Sequence, residues 1–257
     1  MPPVETFDLR ALSPIVGAEL AGAQLLDSDH SGTDAVWSAL DRHGLVLARE
    51  QQLTPEGLIE LTRRFGEPER FPELRAVAEY PEVCIIANDP RQGPATPVYW
   101  HTDGAQQPEP PSVTLLYAVR TTDSGGETLF TDARKAYDSL PDALREQIEG
   151  RRAVLASGVE QPLVRVHPRT GRRALYADFG RTAEITGLDR DEAKTLLKVL
   201  RDHVGREGAT YTHKWTPGEL AIWDNAAILH SATKPPASDQ LRLMWRTTVR
   251  GDAAIAV

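Results

Sequence analysis

Two strand-like runs in the last quarter of the chain decide the fold class: "ELAIWD" at residues 219–224 and "LRLMWRTTV" at residues 241–249. Each run concentrates apolar, β-branched and aromatic residues and is bounded by turn-forming or polar residues, which is typical of a short β-strand. An apolar run ending at His230 and a Pro-rich connection lie between them. Strands this short, joined by turns instead of long helices, predict a fold built mainly from β-sheet.

The same pattern extends back to about residue 80. Five further runs predict strands: "VCIIAN" (83–88), "VTLLYAV" (113–119), "ETLFTD" (127–132), "RAVLAS" (152–157) and "RALYAD" (173–178). Helical spacing of apolar residues predicts helices at 31–44, 53–68, 133–150 and 189–207, with a short buried strand at 45–49. We therefore expect one domain over residues 1–257, mainly β with α: a double-stranded β-helix (jelly roll) core decorated by helices.

The composition argues against several classes of protein. A formal net charge of −8 disfavours nucleic acid as a partner, because binding to a phosphate backbone needs a basic face. No stretch approaches the roughly eighteen consecutive apolar residues of a membrane span, and the first residues lack the features of a signal peptide. Cys84 is the single cysteine, which excludes an internal disulfide. These observations predict a cytoplasmic protein.

The stretch "YWHTDG" at residues 99–104 carries the first candidate for chemistry. Alternate residues of an extended segment point to one face, so His101 and Asp103 would converge on one ion if this stretch is a strand. The pair alone is a weak signal, but His230 supplies a second histidine. Two histidines and one carboxylate form a facial triad, which leaves three coordination positions open and suits Fe(II).

Two arginines follow on the last predicted strand. The even spacing of Arg242 and Arg246 puts both side chains on one face. An arginine that faces the same cavity as the metal could hold the far carboxylate of a dicarboxylate chelator through a bidentate contact.

In this order along the chain, the motifs resemble those of the TauD/TfdA family, the Fe(II)- and 2-oxoglutarate-dependent dioxygenases related to taurine dioxygenase and 2,4-dichlorophenoxyacetate dioxygenase. The matching segments are "LSPIVGAELAGAQL", "RHGLVLARE", "LTPEGLIELTRRFGEP", "WHTDG", "SGGETLFTD", "PGELAIWDNAAILHSA" and "LRLMWRT". The resemblance covers nearly the whole chain and implies a jelly roll that uses Fe(II), 2-oxoglutarate and O₂.

The resemblance also implies roles for individual residues. His101, Asp103 and His230 would ligate Fe(II), while Arg242 would pair with the distal carboxylate of 2-oxoglutarate. Thr128 of "GGETLF" would hydrogen-bond the same carboxylate. Because the carboxylate ligand is present, we do not expect the chemistry of the related halogenases, in which a small residue replaces it.

Departures from the family pattern concern the substrate. The taurine enzyme has a histidine and a tyrosine where this chain has Phe71 and Leu74, and an asparagine where this chain has Pro97. We therefore expect a small molecule with an apolar body and one acidic group, and not taurine. Arg246 is similar to the arginine that grips an anionic substrate in family members, with a supporting salt bridge as its alternative role. Trp100, beside the first ligand, would wall the substrate pocket or serve in packing.

The resemblance predicts hydroxylation of a small carboxylate or amino-acid derivative, with release of succinate and CO₂. Desaturation, cyclisation or oxidative carbon–heteroatom cleavage in natural-product biosynthesis are alternatives with the same cofactors. A zinc hydrolase built on the same three ligands and a non-catalytic jelly roll that binds 2-oxoglutarate are rival interpretations.

Residues 69–96 are Pro-rich and predict a lid over the substrate. Family members are often dimers or tetramers, so the resemblance is compatible with a homo-oligomer, and the sequence does not decide the oligomeric state.

Overall fold

The computed structural model describes residues 7–28, 30–88, 98–206, 208–233 and 240–257. Within these ranges the largest sheet has eight strands: β1 (Asp8–Ala11), β2 (Ala18–Ala21), β3 (Leu45–Ala48), β4 (Ala76–Val77), β5 (Tyr80–Ala87), β6 (Val113–Arg120), β14 (Leu220–Asp224) and β16 (Leu243–Val249). Their spatial order is β1-β2-β3-β14-β6-β16-β5-β4. Neighbours pair antiparallel except β2 and β3, which pair parallel.

Three smaller sheets complete the β structure of the described ranges. They are β13-β7-β15 (Tyr211–His213, Thr128–Asp132, Ile228–Ala232), β12-β8-β9 (Thr182–Ile185, Arg152–Leu155, Glu160–Pro162) and β11-β10-β17 (Arg173–Leu175, Val164–Val166, Ile255–Ala256). The β13-β7-β15 sheet shares an apolar core with the large sheet, in which Phe130 packs with Trp223 and Met244. Two antiparallel layers around a common core form the predicted jelly roll.

Helices cover the outside of this core. In the described ranges they are α1 (His30–His43), α2 (Pro55–Arg63), α3 (Ala133–Asp138), α4 (Asp142–Ile148) and α5 (Arg190–Val204). The apolar faces of α1 and α2 pack on the large sheet through residues such as Leu40 and Leu58. The predicted start of α2 is confirmed, because the Thr54 hydroxyl accepts a 3.1 Å hydrogen bond from the backbone of Gly57. Among the described helices, none is long and apolar enough to cross a membrane.

Three local predictions are wrong. The helix expected over residues 133–150 is split into α3 and α4, because Pro141 has no backbone N–H and disfavours a helical conformation before it. The run at 173–178 is strand only over Arg173–Leu175. The stretch at 99–104 is not a strand and makes a single β-bridge, from His101 to His230. Of the predicted lid over residues 69–96, residues 76–77 and 80–87 belong to β4 and β5, whereas residues 89–96 lie outside the described ranges, as does Pro97.

Candidate active site

The structure brings together the three side chains predicted to bind metal. His230 lies in the middle of β15, and His101 runs beside it, with two backbone hydrogen bonds of 3.0 and 2.9 Å between the two residues. Asp103 follows at a turn. One candidate ligand atom from each residue lies within 4.8 Å of the others, and all three residues are buried. We refer to these three residues as the triad.

Hydrogen bonding and burial leave a nitrogen of each histidine available to a metal. The Nδ1 of His101 lies 2.9 Å from the carbonyl oxygen of Tyr99, which can only accept, so Nδ1 donates and Nε2 is left for a ligand. Burial, followed by the nearby His101, lowers the pKa of His230 to about 3, although Asp103 opposes the shift. His230 is therefore a neutral imidazole near pH 7, the form that binds metals.

The carboxylate of Asp103 is held ionised. Burial raises its pKa, but the positive charge of Arg246, the neighbouring imidazoles of His230 and His101 and a hydrogen bond from Thr114 outweigh burial and bring the pKa to about 2. Thr114 donates to Oδ2 at 2.8 Å, and Arg246 donates to Oδ1 at 3.2 Å. Both oxygens of the carboxylate therefore have a fixed direction before any metal binds.

A chain of hydrogen bonds behind the carboxylate fixes Thr114 in turn. Its hydroxyl accepts from the side-chain amide of Asn225 at 2.9 Å, and Asn225 accepts from the indole N–H of Trp223 at 3.1 Å. The neighbouring Asp224 stabilises the turn itself, because its side chain accepts from the backbone of Ala226 two residues on. The side chain of Asn225 instead supports the triad through Thr114.

Arg242 is a buried cation with no hydrogen-bond or ion-pair partner for its guanidinium among the described residues. Its Nε is fully buried. Burial lowers its pKa to about 10, with Glu127 partly opposing the shift, so the group is still charged near pH 7. Gly126 makes room for it: at φ +76°, a Cβ on Gly126 would lie 2.7 Å from Cδ of Arg242. A buried charge of this kind calls for an anion.

Thr128 offers a second donor beside this arginine. Its hydroxyl accepts a 2.9 Å hydrogen bond from the indole N–H of Trp215, so its own hydrogen is free to be donated into the cavity that it lines. The rings of Trp215 and His213 are nearly perpendicular, with 4.6 Å between their centroids, and His213 is hydrogen-bonded to Glu219 at 2.9 Å. Sequence reasoning did not identify this support for Thr128.

The residues fit both a metal and a chelating co-substrate. One cavity of about 240 Å³ is lined by the triad, Arg242 and Thr128. Two imidazole nitrogens and an ionised carboxylate oxygen are the donor set of a facial Fe(II) site. The unpaired guanidinium and the free hydroxyl are suited to a carboxylate held away from the metal.

The residues predicted to contact substrate are divided between two environments. Phe71, Leu74 and Arg246 line the cavity, and the Arg246 guanidinium lies 5.5 Å from the centre of the Phe71 ring. Trp100 does not line it: the side chain is buried in the apolar cluster around α5, with Leu200. The side chain of Trp100 thus points away from the cavity that its neighbour His101 lines. Of the two roles expected for Trp100, these contacts favour packing.

Arg181 and Gln106 also line the cavity, and sequence reasoning missed both. They lie in turns outside the strand and helix patterns, so only the tertiary structure places them beside the triad.

Comparison with known proteins agrees with this geometry. The family model "Taurine catabolism dioxygenase TauD, TfdA family" matches residues 8–248. The chain belongs to this family. As a TauD/TfdA protein it is a non-haem dioxygenase whose cofactors are Fe(II), 2-oxoglutarate and O₂.

Individual TauD/TfdA relatives match over almost the full length. The (S)-phenoxypropionate/alpha-ketoglutarate-dioxygenase of Sphingobium herbicidovorans is 31% identical over 281 residues, which cover 96% of each chain. Pentalenolactone F synthase of Streptomyces avermitilis is 30% identical and covers 93% of this chain and 92% of its own. The crystal structure of a taurine dioxygenase from Burkholderia xenovorans has a TM-score of 0.87 and 35% identity, covering 99% of this chain and 93% of that chain.

Proposed function

We propose that this dioxygenase hydroxylates a small molecule that has an apolar body and an anionic group, while 2-oxoglutarate is converted to succinate and CO₂. The observation that carries the proposal is one cavity that contains both the buried triad and the unpaired guanidinium of Arg242. When bound, Fe(II) together with 2-oxoglutarate and O₂ supplies the oxidant.

Each residue then has a role that follows from its contacts. The triad of His101, Asp103 and His230 holds Fe(II) with two nitrogens and one carboxylate oxygen. Arg242 pairs with the distal carboxylate of 2-oxoglutarate, and Thr128 donates to the same group. Burial strengthens these contacts, because charges interact more strongly where water is excluded.

The substrate class rests on the walls of the cavity. Phe71 and Leu74 offer apolar contact, and Arg246 brings positive charge close to the triad. The relative from Sphingobium herbicidovorans is named for a phenoxypropionate, which is a carboxylate with an aromatic body. A net charge of −8 argues for a small-molecule partner and against nucleic acid. We further propose that residues 1–257 act as one domain in the cytoplasm.

Similarity to pentalenolactone F synthase supports a second candidate outcome. With the same residues and cofactors, the oxidation would end in desaturation, cyclisation or carbon–heteroatom cleavage in natural-product biosynthesis. Mass analysis of the product separates these outcomes from hydroxylation, which adds one oxygen atom.

An anaerobic titration tests the cofactor assignment. Fe(II) and then 2-oxoglutarate are added to the metal-free protein, and the weak visible charge-transfer band of chelated 2-oxoglutarate is recorded. We expect the band with the native protein, its loss with His101→Ala, and a weaker 2-oxoglutarate affinity with Arg242→Ala. His203→Gln is the control, because His203 lies on α5 and bonds the backbone of Ala136.

Absence of the band despite bound metal would contradict the proposal and favour a zinc hydrolase. A band without any O₂-dependent formation of succinate, in the presence of a broad set of small carboxylates, would favour a non-catalytic binding protein.

A further inference from the structure

A turn at residues 178–181 carries an arginine to the wall of the catalytic cavity. The backbone N–H of Arg181 donates to the side chain of Asp178 at 2.9 Å, and its carbonyl accepts from Ala156 at 2.9 Å. Phe179 donates to the carbonyl of Trp100 at 3.0 Å, which ties the turn to the segment that carries the first histidine of the triad. The backbone of Arg181 is therefore fixed relative to the metal ligands.

The side chain of Arg181 lies where it can meet a ligand and keeps N–H donors for it. It lines the cavity but is 41% exposed, so it lies at the mouth, whereas the triad is buried. Its Nη1 donates to the side-chain oxygen of Gln106 at 3.1 Å, and Oδ2 of Asp178 is 3.7 Å away, beyond hydrogen-bonding distance. Within the described ranges the Gln106 amide nitrogen donates no hydrogen bond, so both side chains have N–H donors to spare.

Arg246, the other arginine near the substrate space, is committed to the protein itself. It donates to the carboxylate of Asp103 at 3.2 Å, lies against Phe71, and is only 17% exposed. Its charge offsets that of a metal ligand. A substrate anion at this point would lie close to the carboxylate of a metal ligand. The carboxylate near Arg181, that of Asp178, is 3.7 Å from Nη1 and accepts its hydrogen bonds from the backbone of Gly180 and Arg181.

We propose that Arg181 and Gln106 form a binding subsite for the anionic group of the substrate at the mouth of the cavity. The apolar body of the substrate then extends inward past Phe71 and Leu74 toward the triad. Arg246 orients Asp103 and supports the apolar wall. This inference rests on the proposed function, since it names the part of the same site that selects the substrate.

The chemistry of the subsite defines the group that it takes. A guanidinium fork binds a carboxylate or another oxyanion such as a sulfonate through two parallel hydrogen bonds, and the Gln106 amide adds a third donor. A neutral ligand of the same shape would lose the charge-assisted part of this binding. The subsite should therefore select for negative charge and tolerate changes in the apolar body.

The experiment measures binding to the anaerobic complex of the enzyme with Fe(II) and 2-oxoglutarate. The probes are (S)-2-phenoxypropionate, its neutral amide, and a phenyl-substituted alkanesulfonate, each titrated through the change that it makes in the visible band. Arg181→Gln should raise the dissociation constant of the two anions by about 10- to 100-fold and change that of the amide by less than about 3-fold. Arg181→Lys should recover part of the loss.

Two further variants serve as comparisons. Arg152→Gln is the matched control, because Arg152 on β8 is 39% exposed and is paired with Glu160, and it does not line the cavity. Arg246→Gln should weaken Fe(II) binding, because it removes a partner of Asp103. The preference for the acid over the amide should remain in this variant. In every variant at Arg181, the affinity for 2-oxoglutarate should stay unchanged.

Three results would overturn the subsite. Arg181→Gln could weaken acid and amide equally, which would indicate a structural role. Selectivity for the acid could vanish in Arg246→Gln alone, which would place the anion there. The native enzyme could form the band and yet show no preference for the acid over the amide. Failure of the proposed function is distinct from all three, because the band itself would then be missing.

Discussion

Two parts of the same cavity differ in how the protein treats buried charge. At the triad, the carboxylate of Asp103 has a hydrogen bond from Thr114 and an ion pair with Arg246. At Arg242, the guanidinium is buried to a similar extent and has no partner among the described residues. The protein itself therefore compensates the buried charge of Asp103, whereas the buried charge of Arg242 is left for a ligand to compensate. In the proposed function, preorganisation of the triad fixes the metal position, and the charge of Arg242 supplies affinity for the co-substrate.

The largest expected effect comes from removing the charge on which the triad depends. Asp103→Asn keeps the shape but loses the anionic ligand, so Fe(II) affinity should fall by more than about 100-fold, since even an outer partner of a metal ligand contributes about 10- to 100-fold. Equilibrium titration with Fe(II) under anaerobic conditions measures this. An affinity within a few-fold of the native protein would show that Asp103 does not bind the metal.

Arg242→Met should separate binding from stability. The KM for 2-oxoglutarate should rise by about 100-fold, because a charge pair is lost. The metal-free protein should unfold at a higher temperature, because an uncompensated buried charge is gone, with about 2–4 °C expected for each kcal/mol. Enzyme kinetics and calorimetry measure the two quantities.

The control for that pair of effects is Arg134→Met. Arg134 is as buried as Arg242 but pairs with Asp132 at 2.9 Å, so its loss should destabilise the protein. If both variants lowered the unfolding temperature alike, the contrast between paired and unpaired arginines would be contradicted.

A smaller effect is expected from the hydrogen bond behind the carboxylate. Thr114→Val removes the donor to Asp103, and Fe(II) affinity should fall by about 10-fold or somewhat more. Thr248 is the matched control, because it pairs with Thr114 from the neighbouring strand β16, and its buried hydroxyl has no hydrogen-bond partner in the part of the chain that the structure describes. Thr248→Val should leave Fe(II) affinity unchanged. Equal effects of the two variants would attribute the change to packing and not to the hydrogen bond.

The smallest effect concerns the support of Thr128. Trp215→Phe keeps an aromatic ring but removes the N–H donor, worth about 0.5–1.5 kcal/mol, so the KM for 2-oxoglutarate should rise by about 2- to 10-fold. The turnover number should change little. Trp245→Phe, which alters a tryptophan packed on Tyr117, is the control. An unchanged KM in Trp215→Phe would show that Thr128 needs no support from the indole.

Sequence reasoning identified the residues whose type and position are fixed by a motif. His101, Asp103 and His230 were named from the pattern, and the structure places them together. Arg242 was named from its strand position and lines the same cavity. For Trp100 the sequence left a pocket wall and packing as alternatives, because a motif does not show the direction of a side chain, and the structure places it in an apolar cluster.

The groups that support the site were missed because their partners are far away in the chain. The hydrogen bond between Asn225 and Thr114 joins residues 111 positions apart, and that between Trp215 and Thr128 joins residues 87 positions apart. One sequence signal could have identified Thr114, which is a polar residue within an apolar strand. No such signal exists for Arg181, because its turn has no periodic pattern.

The sequence by itself determined the class of fold, the family and which three residues we propose as metal ligands, because local periodicity and ordered motifs depend on residues close to one another in the chain. Tertiary structure alone decided which charges are paired, which way Trp100 points, and that Arg181 and Gln106 meet at the mouth of the cavity. The physical reason is that burial and charge compensation depend on distances in space, and those distances exist only after the strands have paired.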